Sequence, residues 1–219
     1  MLKNIKKIIK CFLIFSIKFI KSQIYTFKNF SKPLPIYTKI EKKGLKVHLG
    51  SGPINLQGWI NIDVRNYSHT HLFQKDFHLK QFTPGSIEEI YMCHVLEHFS
   101  FIEAENLLIQ LHDKLNHRGL IRISVPSFDS MVRIYLDNKK DLSSISGPLF
   151  GGQDYEYNFH KSVYNKSTLT ALLKKCGFKN IAEWDTWEDF GGNLGDWSNA
   201  KIKTKITKRS ISLNLKGQK

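Results

Sequence analysis

The chain has 219 residues, three cysteines and a formal net charge of +14. That length fits one domain with extensions and a single substantial core. Cys11, Cys93 and Cys176 are too few and too scattered for a disulfide framework or a zinc ribbon, which predicts a reducing compartment and hence the cytoplasm. The basic excess sits at the ends. Residues 1–43 hold eleven lysines against one acid, residues 199–219 hold seven basic residues and no acid, and the body between them carries 15 basic against 18 acidic residues. This argues against a basic nucleic-acid groove across the body and predicts a peripheral electrostatic contact through the termini.

Residues 1–30 alternate lysines with large apolar residues. Lys3, Lys7, Lys10, Lys18 and Lys21 fall near one side of a helix, while Ile5, Ile8, Ile9, Phe12, Phe15 and Phe19 gather elsewhere. This basic amphipathic helix either lies on an anionic membrane surface, at the inner face, or packs on the body. Its longest uncharged run, residues 11–17, is far short of the roughly 20 residues that a membrane span needs. Residues 31–35, with two prolines, form a linker within a 1–43 extension, and the one domain is expected over 44–219.

The central signal lies in residues 45–64. An apolar run (Leu45, Val47, Leu49) ends in Gly50-Ser51-Gly52, and a second run (Trp59, Ile60, Ile62) ends in Asp63. Glycines after a strand let backbone approach a ligand. A helix beginning at Pro53 points its free N–H groups at the same spot. An acid at the tip of the next strand is placed to accept ribose hydroxyls. The pattern is that of a nucleoside-binding site. It is not the dinucleotide fingerprint, because Asn55 stands at the third glycine position and Asp63 follows Gly52 by only eleven residues.

Further along, residues 72–77 form a short strand ending at Asp76, and residues 87–93 a strand running into His94-Val95-Leu96-Glu97-His98. A helix follows over 101–116, ended by Gly119, then a buried strand over 120–125 stopped by Pro126. Ser127 caps a helix over 128–136. Residues 137–159 form a glycine-bearing loop of the kind that binds or covers ligands. A helix over 167–176 is closed by Gly177, and strands over 178–184 and 211–219 complete the chain. Alternating strands and helices predict a mostly parallel sheet with helices on both faces.

Leu49, Gly50, Ser51, Gly52, Gly58, Trp59 and Asp63, together with the H-V-L-E-H segment at 94–98, resemble the class I S-adenosylmethionine-dependent methyltransferases, in particular the small type 11-like branch. The likeness covers residues 45–185 and 210–219. It implies a Rossmann-like α/β fold with a seven-stranded sheet in the order 3-2-1-4-5-7-6, the last strand antiparallel. It also implies S-adenosyl-L-methionine as cofactor. Leu49, Gly50, Ser51, Gly52 and Asp63 then hold that cofactor, with His94 beside it and Asp76 and Phe77 on the adenine side. His48 departs from the pattern, standing where many relatives carry an acid that helps to capture the methionine end. Likeness to branch members of surface-glycan synthesis implies a small-molecule or sugar-containing acceptor.

Methyl transfer needs two aligned centres and, for a hydroxyl acceptor, a base. His94, at the end of the fourth strand, is the first candidate, with His160 and His98 behind it. His94-x-x-Glu97-His98 is also the inverted zinc-protease signature, so a metal-dependent hydrolase is one alternative. It requires both histidines on one helical turn, whereas His94 follows a β-like run, so a protease site is not expected and no residue is assigned to a metal, while metal-assisted methyl transfer stays open. The other alternative is a non-catalytic protein that keeps the fold, which His48 favours. Base methylation of nucleic acid is disfavoured by the acidic body and by the missing N/D-P-P-Y/F tetrapeptide.

Overall fold

The computed structural model describes residues 43–74 and 77–219. The amphipathic helix expected in residues 1–30, its linker, and Asp76 lie outside the described residues. Among the described residues no helix is long and apolar enough to cross a membrane.

A seven-stranded sheet organises the domain. Its members are β1 (Leu45–Leu49), β2 (Ile60–Asp63), β3 (Leu72–Phe73), β4 (Ile87–Cys93), β5 (Leu115–Pro126), β6 (Lys179–Glu183) and β9 (Ser212–Gln218). β7 (Lys201–Lys203) and β8 (Lys208–Ser210) pair as a separate antiparallel hairpin. The order is β3-β2-β1-β4-β5-β9-β6, with β1 to β5 parallel and β9 antiparallel to both its neighbours. With β9 as the seventh sheet strand, this is the expected order. β1 and β4 are apolar along most of their length because both faces of a parallel sheet are covered. Val47, Leu49, Ile90 and Met92 are fully buried in one core with Leu108, Leu111, Ile121 and Leu169.

The helices are α1 (Phe101–Lys114), α2 (Phe128–Asp137), α3 (Ser146–Phe150), α4 (Lys166–Lys175) and α5 (Thr186–Phe190). Local chemistry starts the longer ones. Ser100 and Glu103 form a reciprocal capping box on α1, Ser127 accepts the Ser130 N–H ahead of α2, and Asn165 and Thr168 form the box of α4. α1 buries Ala104, Leu107, Leu108 and Leu111 against the sheet, the face that its apolar spacing foretells.

Four segments differ from the sequence reading. No helix starts at Pro53; residues 52–53 and 57–58 are turns. The buried Asn61 side chain organises this loop instead, donating from Nδ2 to Asn55 Oδ1 at 2.9 Å and accepting the Leu56 N–H at 3.4 Å. Seven residues between Gly52 and β2, with Pro53 at one end and Gly58 near the other, leave little room for a stable helix. β3 stops at Phe73, since Gln74 turns inward to donate to Gln81 at 2.8 Å. Gly119 does not end a helix. α1 stops at Lys114 and β5 begins at once, with residues 116–119 bulging between the Ile87↔Leu115 and Glu89↔Leu120 pairs and Arg118 at a φ of +64°. The loop of residues 137–159 contains α3 and a one-turn 3₁₀ segment, Leu142–Ser144.

Candidate active site

The carboxyl ends of β1, β2 and β4 open onto a cavity of about 1380 Å³. Gly50, Ser51, Gly52, Asp63, Phe77, His94, His98 and His160 all line it. Leu49 does not: its side chain is fully buried in the core, so only its backbone leads into the loop.

The glycine loop is fixed by its neighbours. Gly50 has a φ of +68°, and a Cβ there meets Val95 Cγ2 at 2.3 Å, so this position accepts only glycine. The Gly50 and Ser51 N–H groups both donate to Ile62 O, at 2.8 and 3.0 Å, tying the turn to β2. Gly52, at a φ of +53°, has no atom within 4 Å of the Cβ position and faces open space. Its N–H donates to Asp63 Oδ2 at 2.7 Å, while the Arg65 N–H donates to Oδ1 at 2.7 Å. Asp63 therefore turns toward the glycine loop at the cavity wall. Burial pushes its pKa up, opposed by those two N–H groups. One donor on each oxygen leaves each a further acceptor direction for a ligand hydroxyl.

His48 is 1% exposed, and burial pushes its pKa down to about 4 against the hydrogen bond that it donates to Asn61. Its Nδ1 lies 3.1 Å from Asn61 Oδ1 and its ring stacks on Tyr91 at 5.2 Å. Tyr91 in turn donates to Asp196 Oδ2 at 2.5 Å. Asp196 and Trp197, from the segment after α5, complete this side of the cavity. The sequence reading missed both. Asp196 meets Tyr91 across 105 positions, and no local pattern signals such a contact.

The three candidate histidines meet around Glu97. β4 ends at Cys93, His94 takes a φ of +53°, and a 3₁₀ turn over Leu96–His98 carries Glu97 inward to 1% exposure. A positive φ on a histidine next to a cavity is the kind of local strain that the surrounding structure must hold in place. His160 arrives from the loop after α3. The Lys161 and Ser162 N–H groups donate to Glu97 O at 2.8 and 3.2 Å, and His160 N–H donates to Phe150 O at 3.0 Å.

The tautomers follow from the partners. Ser212 Oγ gives its one hydrogen to Trp197 O at 2.7 Å, so His94 Nε2, 2.7 Å away, must be the donor to Ser212. His160 Nδ1 lies 2.8 Å from Pro148 O, a pure acceptor, and so carries the ring proton. His94 Nδ1 and His160 Nε2 are thus lone-pair atoms, 3.6 and 3.8 Å from Glu97 Oε1. Burial, then His160 and His98, pushes His94 down to about 3; burial pushes His98 down to about 4 and Glu97 up to about 8. The inverted zinc-protease arrangement is not formed, since His94 and His98 do not share a helix.

No protein-family model and no curated protein matches the chain. Among solved structures it is similar to a SAM-dependent methyltransferase from Thermotoga maritima, 13% identical over 99% of this chain and 97% of that chain, with a TM-score of 0.50. It is also similar to a chain of the Haloferax volcanii complex between the Trm112 methyltransferase activator and a methyltransferase. That match is 13% identical over 83% of this chain and 84% of that one, with a TM-score of 0.51. At these identities the likeness bears on the fold, which is the Rossmann-like fold of the class I SAM-dependent methyltransferases.

Proposed function

We propose that the chain transfers a methyl group from S-adenosyl-L-methionine to a small-molecule or glycan-type acceptor. The observation that carries this reading is the hydrogen bond from Gly52 N–H to Asp63 Oδ2 at the mouth of the cavity. It joins a glycine turn open to an incoming ligand with a carboxylate that has acceptor capacity to spare, which is the chemistry that an adenosyl ribose requires. The cofactor, when bound, supplies a methyl group on a cationic sulfur.

In this reading Asp63 accepts the ribose hydroxyls, the backbone of residues 50–52 lies against the adenosyl group, and Phe77 gives the base an apolar wall. Asp76, outside the described residues, serves the adenine amine. The acid missing at position 48 is replaced across the cavity wall by Asp196, the carboxylate held by Tyr91 beside His48. A volume of about 1380 Å³ exceeds the roughly 300–1,000 Å³ of common ligand sites and supports a cofactor with a second molecule beside it. His94 Nδ1 and His160 Nε2 are the free nitrogens available to a hydroxyl proton, with His98 packed edge-on against His160 at 4.8 Å. The basic segment before residue 43 brings the domain to the inner face of a membrane, which suits a lipid-linked acceptor.

Titration calorimetry with the cofactor tests the reading. The expected outcome is micromolar binding that weakens at least about tenfold in Asp63→Ala, with thermal melts confirming that the variant folds. Absence of binding at high micromolar cofactor sinks the enzyme and leaves a non-catalytic protein of the same fold. Radiolabelled methyl donor with fractionated cell extract then identifies the acceptor class by which fraction becomes labelled.

A further inference from the structure

We propose that Glu97, His98 and His160 form a binding site for one divalent transition-metal ion. One potential ligand atom from each lies within 4.8 Å of the other two. The stronger observation is the state of Glu97. Its carboxylate is 1% exposed, and neither oxygen has a hydrogen-bond partner. An unpaired buried carboxylate is among the costliest groups a protein can hold.

Beyond its own backbone N–H, no side chain among the described residues donates to Glu97. His160 Nδ1–H is committed to Pro148 O, and His94 Nε2–H to Ser212 Oγ, so both rings present lone pairs to Glu97 Oε1, at 3.8 and 3.6 Å. His98 Nδ1 is buried and also without a partner. Acceptor atoms from three or four side chains converge with fewer protons than acceptors, since a neutral Glu97 carboxyl brings a single hydrogen. A single proton satisfies one such pair and leaves the others facing one another; a metal ion satisfies the set. The Pro148 carbonyl that fixes the His160 tautomer is the outer partner that metal-bound imidazoles ordinarily have.

Two imidazoles and one carboxylate suit zinc, cobalt or iron(II) rather than calcium or magnesium. Three protein ligands leave coordination positions open, and two of the three, His98 and His160, line the cavity that Asp63 and the glycine loop share. An ion held there meets an oxygen-bearing acceptor or water. The ligand set differs from the one that the 94–98 motif advertises, because the atoms that converge within 4.8 Å include His160 in place of His94, whose Nε2 is committed to Ser212.

The test uses the untagged full chain, stripped with chelator and titrated with Co²⁺ and with Zn²⁺. The expected result is a visible cobalt d–d band and roughly one equivalent of metal retained through gel filtration. Glu97→Gln and His160→Ala each reduce retention to about a tenth or less, with His160→Gln as a second variant should the alanine form not fold. Cofactor affinity, measured by calorimetry on the same samples, is expected to stay within about threefold, so failure of the metal site and failure of methyl-donor binding are told apart. No band and no retained metal in the wild-type chain overturns the proposal and assigns a shared proton to the cluster. Retention unchanged in both variants overturns it equally.

Discussion

A Cβ added at Gly50 carries two separate costs, the 2.3 Å approach to Val95 Cγ2 and the φ of +68°. The left-handed backbone accounts for roughly 1–2 kcal/mol, and overpacking for a further 1–3 kcal/mol. Gly50→Ala is therefore expected to lose about 3 kcal/mol of stability in chemical denaturation. Combined with Val95→Ala, the loss should fall short of the sum of the two single losses by about 1 kcal/mol or more. Additivity within about 0.5 kcal/mol rules out the clash as the cause. This residue was legible in the sequence because a backbone that must take a positive φ against a neighbouring side chain leaves glycine as the one residue that fits. Asp63 was legible for a related reason, standing at the tip of an apolar run. Glu97 was visible as a motif member, but its lack of donors was not. That lack depends on Pro148, Ser212 and Trp197, which are distant in sequence.

At the level of elements, α5 is held to the sheet by charge as well as by the Phe190 ring, which packs against Tyr91 and Trp184. Arg122 on β5 donates through Nε and Nη2 to Asp189 Oδ1, at 3.1 and 2.8 Å, and pairs with Glu89 on β4. Lys216 on β9 reaches the same Asp189 oxygen at 2.7 Å, and the Phe190 ring lies 5.2 Å from the Arg122 guanidinium. Removing the shared cation leaves Glu89 without its β5 partner and Asp189 with Lys216 alone. Arg122→Ala is expected to cost about 3 kcal/mol in denaturant unfolding and to raise proteolysis around residues 186–199. A variant with unchanged stability and cleavage shows the network to be incidental. α5, five residues long, and the β7–β8 hairpin, with three residues per strand, are too short and too polar to show a period, so the sequence hid them. α1, α2 and α4 were legible through their caps and apolar spacing.

For the whole molecule, pH acts through buried imidazoles. His48 is held neutral, its pKa lowered by burial to about 4 from the ordinary value near 6.5. The folded state thus binds fewer protons than the unfolded state between those values. The stabilisation is complete above about pH 6.5 and is lost as pH falls toward about 4. Between pH 7.5 and 5.0 this one group accounts for roughly 2 kcal/mol. His48→Leu is expected to shrink the difference between urea stabilities at those two pH values by about that amount, and an unchanged difference removes His48 as the cause. The order of the parallel strands, by contrast, was legible only through family resemblance. Crossovers join β1, β4 and β5 across loops and helices, and no local residue pattern records which strand lies beside which.

The position of β9 has a consequence for synthesis. It is translated after the other six strands of its sheet, yet it lies between β5 and β6 and is the neighbour that β6 pairs with. While a ribosome is still making residues 212–218, β5 has a bare edge and β6 has nothing to join, however complete β1 to β4 already are. The nascent protein therefore stays open along one seam, a target for chaperones or for a neighbouring chain's strand, until that last segment emerges and closes it.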